Sequence, residues 1–172
     1  MTLKLPANIR LDGMTNADFE TVAQLGEMIW RSHYTSIISR EQIDYMLSDR
    51  YTPDNLLPYL NASNRWLLLL RIADQAVGYF SHAFTNKPGE IKVEQLYLLP
   101  EFQGRGLGSL MLRHIEDEAR ARNVGTLILQ VNKLNAGAIA FYRKAGFIVR
   151  EEAVFYIGNG FVMDDYVMEK SL

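Results

Sequence analysis

A glycine-rich stretch, QGRGLG at residues 103–108, stands between an apolar run and a helical pattern. Backbone amides at the start of a helix are unpaired and, together with the helix dipole, form a site for anions, most often phosphate. Gly104, Gly106 and Gly108 let phosphate oxygens approach the backbone without a Cβ clash, and Arg105 adds a charge at the rim. The stretch therefore predicts a phosphate cradle, with a tight packing turn as the alternative.

The spacing of these glycines excludes two common phosphate loops. A nucleoside triphosphate loop needs GxxxxGK followed by Ser or Thr, and the chain has no such lysine. A dinucleotide fingerprint needs a third glycine at position 109, where Ser109 stands. Neither kind of nucleotide is the expected ligand.

Three more side chains have types and spacing suited to chemistry. Glu94, in the middle of the apolar stretch IKVEQLYLL, is a candidate general base, with a cross-strand pair as the alternative. Tyr142 follows Asn135 by nearly two helical turns, so both point from one face of a helix and can address one ligand. A helix cap is compatible with that role for Asn135, whereas a core tyrosine packed beside Phe141 is the alternative for Tyr142.

Two segments resemble conserved stretches of the GNAT acetyltransferase superfamily. In LYLLPEFQGRGLGSLML, Gln103, Gly106 and Gly108 match the pattern of Gln or Arg, two residues, Gly, one residue, and Gly or Ala. In NKLNAGAIAFYRKAGF, an asparagine opens a helix that ends in a tyrosine and a Gly-Phe pair. The matching residues are Asn135, Tyr142, Gly146 and Phe147. The resemblance covers most of the chain from residue 65 to the end.

The resemblance implies an N-acetyltransferase with acetyl-coenzyme A as co-substrate and with its pyrophosphate in the glycine loop. It implies that the strands IKVEQLYLL and TLILQVN run parallel but splay apart, with the pantetheine arm in the gap. Tyr142 is then the general acid near the sulfur, and the amide of Leu98 is expected to polarise the thioester carbonyl. The expected cofactor-binding residues are Leu96, Leu98, Gln103, Gly104, Arg105, Gly106, Leu107, Gly108, Ser109, Asn135 and Tyr142.

The chain contains no cysteine, which removes a cysteine acyl-enzyme and any thiolate metal site. The absence favours direct transfer of the acetyl group in a ternary complex. His33, His82 and His114 are isolated and show no metal-ligand spacing, so no metal is expected.

The acceptor pocket is expected beneath the first helices, where WRSHYTSIISREQIDYML concentrates aromatic residues and a histidine. Trp30, His33, Tyr34 and Tyr45 are the candidate lining residues. Core packing is the alternative for Trp30, because large aromatic side chains are usually buried.

The C-terminal stretch FYIGNGFVMDDYVMEK resembles the ending of bacterial members that acetylate polyamines or other small amines. Strand alternation puts Asp164 and Asp165 on opposite faces, so only one can face a pocket. Asp164 is the residue predicted to attract a cationic amine, with a solvated acid pair as the alternative. A small amine or polyamine is therefore the favoured acceptor. A protein or peptide amine, an antibiotic amine, or a silent acyl-coenzyme A sensor are the competing hypotheses.

A particular order of elements must position these residues. It consists of a strand near residues 9–12, two or three helices, three antiparallel strands, a helix, a strand, a helix and two strands. Capping boxes are predicted at Thr15 with Asp18 and at Ser39 with Gln42. We expect an α/β (α+β) GNAT fold, with a mixed, mostly antiparallel sheet of about seven strands, a parallel splayed central pair and flanking helices.

Composition limits the remaining function classes. At 172 residues, 48% hydrophobic and 22% charged, the chain suits a single domain over residues 1–172. A net charge of -2 offers no electrostatic grip on nucleic acid. The longest apolar run, WLLLL, is far below the ~20 residues of a membrane span, and the N-terminal stretch lacks the core of a secretory signal. We expect a cytoplasmic protein, and similar proteins suggest a homodimer.

Overall fold

A computed structural model describes residues 7–172 of the chain, so residues 1–6 of the expected domain lie outside the described part. The helices that follow the first strand fall in the predicted order. They are α1 (Phe19–His33), α2 (Arg40–Arg50), α3 (Pro53–Leu56), α4 (Leu107–Ala121) and α5 (Ala136–Lys144). The strands are β1 (Ile9–Gly13), β2 (Arg65–Ile72), β3 (Gln75–Phe84), β4 (Glu90–Leu98), β5 (Thr126–Asn132), β6 (Ile148–Gly158) and β7 (Phe161–Ser171).

The strands form one sheet in the order β1-β2-β3-β4-β5-β7-β6. β4 and β5 are parallel neighbours, and every other neighbouring pair is antiparallel. The connection from β4 through α4 to β5 is the crossover that a parallel pair requires. The predicted seven-stranded mixed sheet with a central parallel pair is confirmed.

The helix starts follow the capping signals in part. The Thr15 amide donates to the Asp18 carboxylate at 2.9 Å, which completes the first capping box ahead of α1. Ser39 Oγ accepts the amide of Gln42 at 3.1 Å and caps α2. The Gln42 side chain donates instead to the carbonyl oxygen of Val162 at 2.8 Å. The second capping box was therefore only half right, because the glutamine ties α2 to β7.

The two faces of the sheet carry different helices. Successive side chains of β3 point to opposite faces. Tyr79 packs edge to face against Tyr51, just after α2, and Phe80 packs against His114 of α4, with ring centroids 5.7 Å apart in each pair. We call these the α2 face and the α4 face. Buried residues of α1 and α4 complete the core, among them Val22, Leu25, Ile29, Leu110, Met111 and Ile115.

The part of the chain that the structure describes, residues 7–172, lacks two features. No helix in this part of the chain is both long and apolar enough to cross a membrane. The same residues include no group of three or more His, Cys, Asp or Glu side chains arranged to hold a metal ion.

Candidate active site

β4 and β5 pair over only part of their length. Their register runs from Glu90 opposite Thr126 to Val93 opposite Leu129 and then stops. Beyond that point β4 stays beside β3, and β5 stays beside β7 as far as Asn132. The two strands therefore splay apart, and a cleft of about 1160 Å³ opens between them.

One extra residue in β4 marks the point of divergence. On β3, Ser81 lies opposite Gln95 and His82 lies opposite Val93, so Glu94 has no partner of its own. Such a bulge bends a strand and increases its twist. The bulge also turns the consecutive side chains of Glu94 and Gln95 to the same side of the sheet. Both side chains accordingly form hydrogen bonds with Ser81 Oγ, at 3.3 and 2.9 Å.

The released half of β4 presents backbone groups to the cleft. The Leu99 amide donates to the carbonyl oxygen of Val77 in β3 at 2.9 Å. This bond shows that Leu99, and every second residue before it in this half of β4, directs its backbone groups toward β3. Because these bonds alternate along an antiparallel strand, Leu96 and Leu98 direct their N–H and C=O groups to the open side. Gln103 Nε2 donates to the Leu98 carbonyl at 3.3 Å, which leaves the amide of Leu98 open.

The glycine loop lies at the end of this half of β4. Gly104 and Gly106 adopt left-handed backbone conformations, with φ of 75° and 77°, and no atom lies within 4 Å of where a Cβ would stand. Gly106 is the N-cap of α4, and no side chain caps that end of the helix. The first-turn amides of α4 are therefore free to bind an anion. Gly108 and Ser109 line the cleft on the same turn.

Two predicted loop residues point elsewhere. The Arg105 guanidinium donates to the Glu101 carbonyl oxygen at 3.0 Å and lies 5.3 Å from the ring centre of Phe102. Leu107 is buried in the core. Neither side chain lines the cleft, and the rim charge expected from Arg105 stays a prediction. Local sequence shows that an arginine is present but not which neighbour it meets.

Asn135 and Tyr142 both face the cleft from α5, as their spacing predicted. Asn135 caps the helix, since its Oδ1 accepts the Ala138 amide at 3.4 Å, and the same oxygen accepts from His33 Nε2 at 3.2 Å. With the oxygen engaged on both sides, the amide nitrogen supplies the donors that remain. The contact also joins the end of α1 to the start of α5.

Tyr142 is packed among aromatic rings, as expected of a core tyrosine, and it also lines the cleft. Its ring packs against Phe141 and Phe147, with centroids 5.1 and 5.6 Å away. Burial, assisted by Tyr97, raises the pKa of Tyr142 above its ordinary value. The hydroxyl therefore keeps its proton at neutral pH and is available as a donor.

Glu94 meets a phenol, a hydroxyl and a guanidinium. Tyr59 donates to its carboxylate at 2.7 Å, Ser81 donates at 3.3 Å, and the Arg65 guanidinium lies 3.6 Å away. The Glu94 side chain is 24% exposed and lines the cleft. It is thus both a cross-strand partner and a carboxylate within reach of a ligand.

A chain of hydrogen bonds ends on this carboxylate. Tyr51 donates to Gln95 Oε1 at 2.9 Å, and Gln95 Nε2 donates to Ser81 Oγ at 2.9 Å. Because the Ser81 oxygen accepts from Gln95, its own proton is directed to Glu94. The hydroxyl of Tyr79 contacts that of Tyr51 at the far end of the chain. Every donor from Tyr51 onward therefore points toward Glu94.

The α2 face of the cleft is rich in aromatic residues. Trp30, His33 and Tyr34 of the first helical region line it, as expected. Trp30 is also almost completely buried, which agrees with the core-packing alternative. The hydroxyls of Tyr34 and Tyr97 lie 3.3 Å apart. Tyr45 does not line the cleft, because it donates to the Ile157 carbonyl at 2.9 Å and packs on Phe161.

The aspartate pair is the reverse of the prediction. Asp164 points outward and pairs with Lys133 at 2.8 Å. Asp165 lies opposite Asn132 of β5, lines the cleft, and has one buried carboxylate oxygen without a partner within the described residues. Burial, with a contribution from Asp164, raises the pKa of Asp165 to about 6. Strand alternation was right, but it does not say which of two faces meets the cleft.

Four further residues of the cleft went unnoticed in the sequence. Gln95 and Tyr97 alternate with Leu96 and Leu98 along β4, and polar residues at every second position of an apolar strand are a signal that could have revealed them. Lys92 lies before the bulge, so the face of the sheet that its side chain shares with Gln95 and Tyr97 can be assigned only when the position of the bulge is known. Arg50, at the end of α2, has no local pattern that marks it.

Comparison with known proteins assigns this architecture to a class, the enzymes that transfer an acyl group from a coenzyme thioester. The sequence profile described as the acetyltransferase (GNAT) family matches residues 24–147, and the chain belongs to that family. It is an acetyl-coenzyme A-dependent N-acetyltransferase.

Individual relatives differ in the acceptor that their names state. A spermidine N(1)-acetyltransferase of Thermoplasma acidophilum is 26% identical over 161 residues, which is 91% of this chain and 96% of the relative. A ribosomal protein bS18-alanine N-acetyltransferase of Salmonella typhimurium is 40% identical over 88 residues, 51% of this chain and 58% of the relative. In structure, the PaiA N-acetyltransferase of T. acidophilum in complex with coenzyme A matches with a TM-score of 0.82 and 21% identity, covering 95% of this chain and 99% of the other.

The residues at the glycine-loop end of the cleft fit coenzyme A. The open left-handed glycines and the free amides of α4 suit a pyrophosphate. The backbone groups of Leu96 and Leu98 offer strand-like partners to an extended arm that carries amides. Both features lie along one continuous cleft.

Proposed function

We propose that the chain transfers the acetyl group of acetyl-coenzyme A directly to the primary amine of a small molecule in a ternary complex. The observation that carries the proposal is the splay of β4 and β5, with Glu94 at its start and the glycine loop at its end. The donor lies on the α4 face of the gap, and the amine approaches from the α2 face.

The loop residues 103–109 hold the pyrophosphate through backbone amides, and the backbone of Leu96 and Leu98 holds the pantetheine arm. The Asn135 amide nitrogen adds a donor beside that arm. When bound, the coenzyme supplies an acetyl group activated as a thioester. The protein then has to place the amine, remove its proton and supply a proton to the sulfur.

Glu94 removes the proton of the amine. An alkyl ammonium has a pKa near ~10.4, so the amine is protonated at neutral pH and needs a base. The donor chain through Gln95 and Ser81 holds the carboxylate in position. Glu94 acts directly or through one water molecule.

Tyr142 donates a proton to the departing sulfur, and the Leu98 amide polarises the thioester carbonyl. The Tyr142 hydroxyl carries its proton at neutral pH, since the ordinary pKa of tyrosine is about 10 and burial raises the pKa of Tyr142 further. The chain contains no cysteine to carry the acetyl group in between, which supports direct transfer.

The acceptor class is a small primary amine. A polyamine is one member of this class, which the name of the spermidine acetyltransferase relative suggests. Asp165 is an unpaired carboxylate on the α2 face, from which the amine approaches.

Release of free thiol from acetyl-coenzyme A, measured with a panel of amines against enzyme-free blanks, tests the proposal. The panel contains diamines and polyamines, amino acids, aminoglycosides and short peptides. Turnover with one class is expected. A Tyr142→Phe variant should lose about 10²- to 10⁴-fold in kcat/KM, the usual contribution of a general acid. Tyr156→Phe, at a fully exposed tyrosine of β6, is the matched control.

Two results would contradict the proposal. Unchanged turnover in Tyr142→Phe would remove the assigned acid. Coenzyme A binding without turnover of any amine would favour the sensor hypothesis, since a sensor needs the donor site alone.

A further inference from the structure

Arg50 is an enclosed cation in the acceptor part of the cleft. Arg50 is the last residue of α2, and its side chain lines the cleft. Its guanidinium carbon lies 5.1 Å from the ring centre of Trp30 and 6.0 Å from that of Tyr51. Its Nε is buried and has no hydrogen-bond partner within the described residues. The side chain is thus held in place by aromatic rings rather than by an anion.

Other arginines with similar burial have carboxylate partners. Three arginines within residues 7–172 are only partly exposed, namely Arg50, Arg65 and Arg71. Arg65 lies 3.6 Å from Glu94, and Arg71 lies 2.6 Å from Asp18. Arg50 forms no ion pair with any carboxylate in that part of the chain. An enclosed charge without a counterion is costly, so its persistence in a ligand cleft indicates that a ligand supplies the anion.

A second cation lies in the same part of the cleft. Lys92 is partly buried and donates to Gln130 Oε1 at 3.0 Å rather than to a carboxylate. Glu94 is already bonded to Tyr59, Ser81 and Arg65. Asp165 is therefore the one cleft carboxylate within residues 7–172 that has no cationic partner. In the acceptor part of the cleft, Arg50 and Lys92 are two unpaired cations against one unpaired acid, Asp165, which disfavours an acceptor that carries only positive charges.

We infer that Arg50 is a specificity-determining residue that holds the carboxylate of the acceptor, and that the acceptor is a primary amine bearing a carboxylate group, an amino acid in the broad sense. The inference rests on the proposed acetyl transfer to a small amine. A guanidinium can donate two parallel hydrogen bonds to a carboxylate, and the contact with Trp30 helps to hold the Arg50 side chain in the cleft. One end of the acceptor is thereby fixed, and its amine is directed toward the splay.

A matched series of acceptors tests the inference. Glycine, β-alanine and γ-aminobutyrate are each compared with the carboxamide of the same length, and γ-aminobutyrate also with putrescine. The best amino acid should exceed its carboxamide in kcat/KM by at least about tenfold, since a charge-assisted bidentate pair contributes more than 1.4 kcal/mol. One chain length should be optimal, because the carboxylate and the amine are held at two fixed places.

Variants of Arg50 separate charge from packing. Arg50→Met keeps an unbranched stem over Trp30 and removes the charge, and it should bring the ratio of acid to carboxamide close to one. Arg50→Lys should keep part of the preference. Arg40→Met, at the exposed first residue of the same helix, is the matched control and should keep the ratio of the parent protein. Thermal unfolding shows whether each variant is folded.

Binding measurements make the test independent of turnover. γ-Aminobutyrate should bind to coenzyme A-saturated protein in calorimetry and should lose this binding in Arg50→Met. Equal turnover of acid and carboxamide, a preference for putrescine, or weakened coenzyme A binding in Arg50→Met would overturn the inference. If no amine is acetylated but the amino acid binds through Arg50, the proposed transfer fails and the carboxylate site stands.

Discussion

β4 carries two glutamates, one in each half of the strand, and their surroundings are opposite. Glu90 lies in the half that pairs with β5, is 4% exposed, and is bonded to Arg150 and Thr85 at 2.9 Å each. Glu94 lies in the released half and keeps part of its surface open to the cleft. Position relative to the splay, rather than residue type, decides which carboxylate stabilises the fold and which one is available for chemistry.

Replacing each of the two glutamates of β4 by glutamine is expected to give the largest effect, on kcat/KM in one case and on the melting temperature in the other. Glu94→Gln should lower kcat/KM by about 10²- to 10⁴-fold at neutral pH, because a general base is lost, and should change the melting temperature little. Glu90→Gln should lower the melting temperature and leave kcat/KM nearly unchanged, since Arg150 loses the nearer of its two carboxylate partners but the cleft is untouched. Steady-state kinetics and thermal unfolding of both variants are the measurements. An equal loss of kcat/KM in the two variants would contradict the claim that only the glutamate in the released half of β4 takes part in catalysis.

The glycine loop lies at the other end of the released half of β4, where the coenzyme is expected to bind. Gly106→Ala places a Cβ in the cradle and strains a left-handed residue by ~1–2 kcal/mol. Coenzyme A affinity should fall by about tenfold or more, measured by calorimetry. Gly160→Ala is the matched control, because Gly160 has the same φ of 77° and the same open surroundings but lies in the β6–β7 turn. Equal affinities in the two variants would mean that the loop does not hold the coenzyme.

The donor chain behind Glu94 is expected to have a moderate effect. In Gln95→Leu, Ser81 is free to turn its proton away from Glu94, so the carboxylate loses a stabilising donor. Activity at neutral pH should fall by roughly 3- to 10-fold, because the carboxylate is held less firmly in position, and steady-state kinetics is the measurement. Gln24→Leu, at an exposed glutamine of α1, is the control. A loss of rate accompanied by an equal loss of melting temperature would indicate a packing defect only, and an unchanged rate would mean that the donor chain does not position Glu94.

The smallest effect concerns stability at acid pH. Burial opposes ionisation of Glu90, but hydrogen bonds from Arg150 and Thr85 outweigh it and lower its pKa from 4.5. A carboxylate whose pKa is lowered in the folded state stabilises the protein above its unfolded value, and this contribution is lost as the pH falls through the folded value. The free energy of unfolding should therefore fall more steeply below about pH 4.5 in the parent protein than in Glu90→Gln. Glu151→Gln, exposed on β6, should retain the parent slope.

Local rules in the sequence were enough for much of the fold. The capping box at Thr15, the glycine-rich start of α4 and the alternation of the strands each depend on residues close together in the chain. The joint placement of Asn135 and Tyr142 was predictable for the same reason, since helical spacing alone puts them on one face.

Tertiary placement explains what could not be predicted. A single unpaired residue at Glu94 creates the bulge, and no composition or periodicity marks it in advance. The choice between Asp164 and Asp165 depends on how β7 registers with β5, and the direction of Arg105 depends on Phe102 and a carbonyl. Arg50 gained its importance only when the structure showed that nothing in the described chain neutralises it.

Two bonds from α2 hold the C-terminal hairpin of β6 and β7 beside the pocket. Gln42 and Tyr45 hold the carbonyls of Val162 and Ile157, so α2 is anchored to the hairpin beside the pocket. Ile157 and Met163 of this hairpin line the cleft, so the two bonds support one wall of the pocket from behind. The shape of that wall therefore depends on two main-chain contacts made by residues that do not line the cleft themselves.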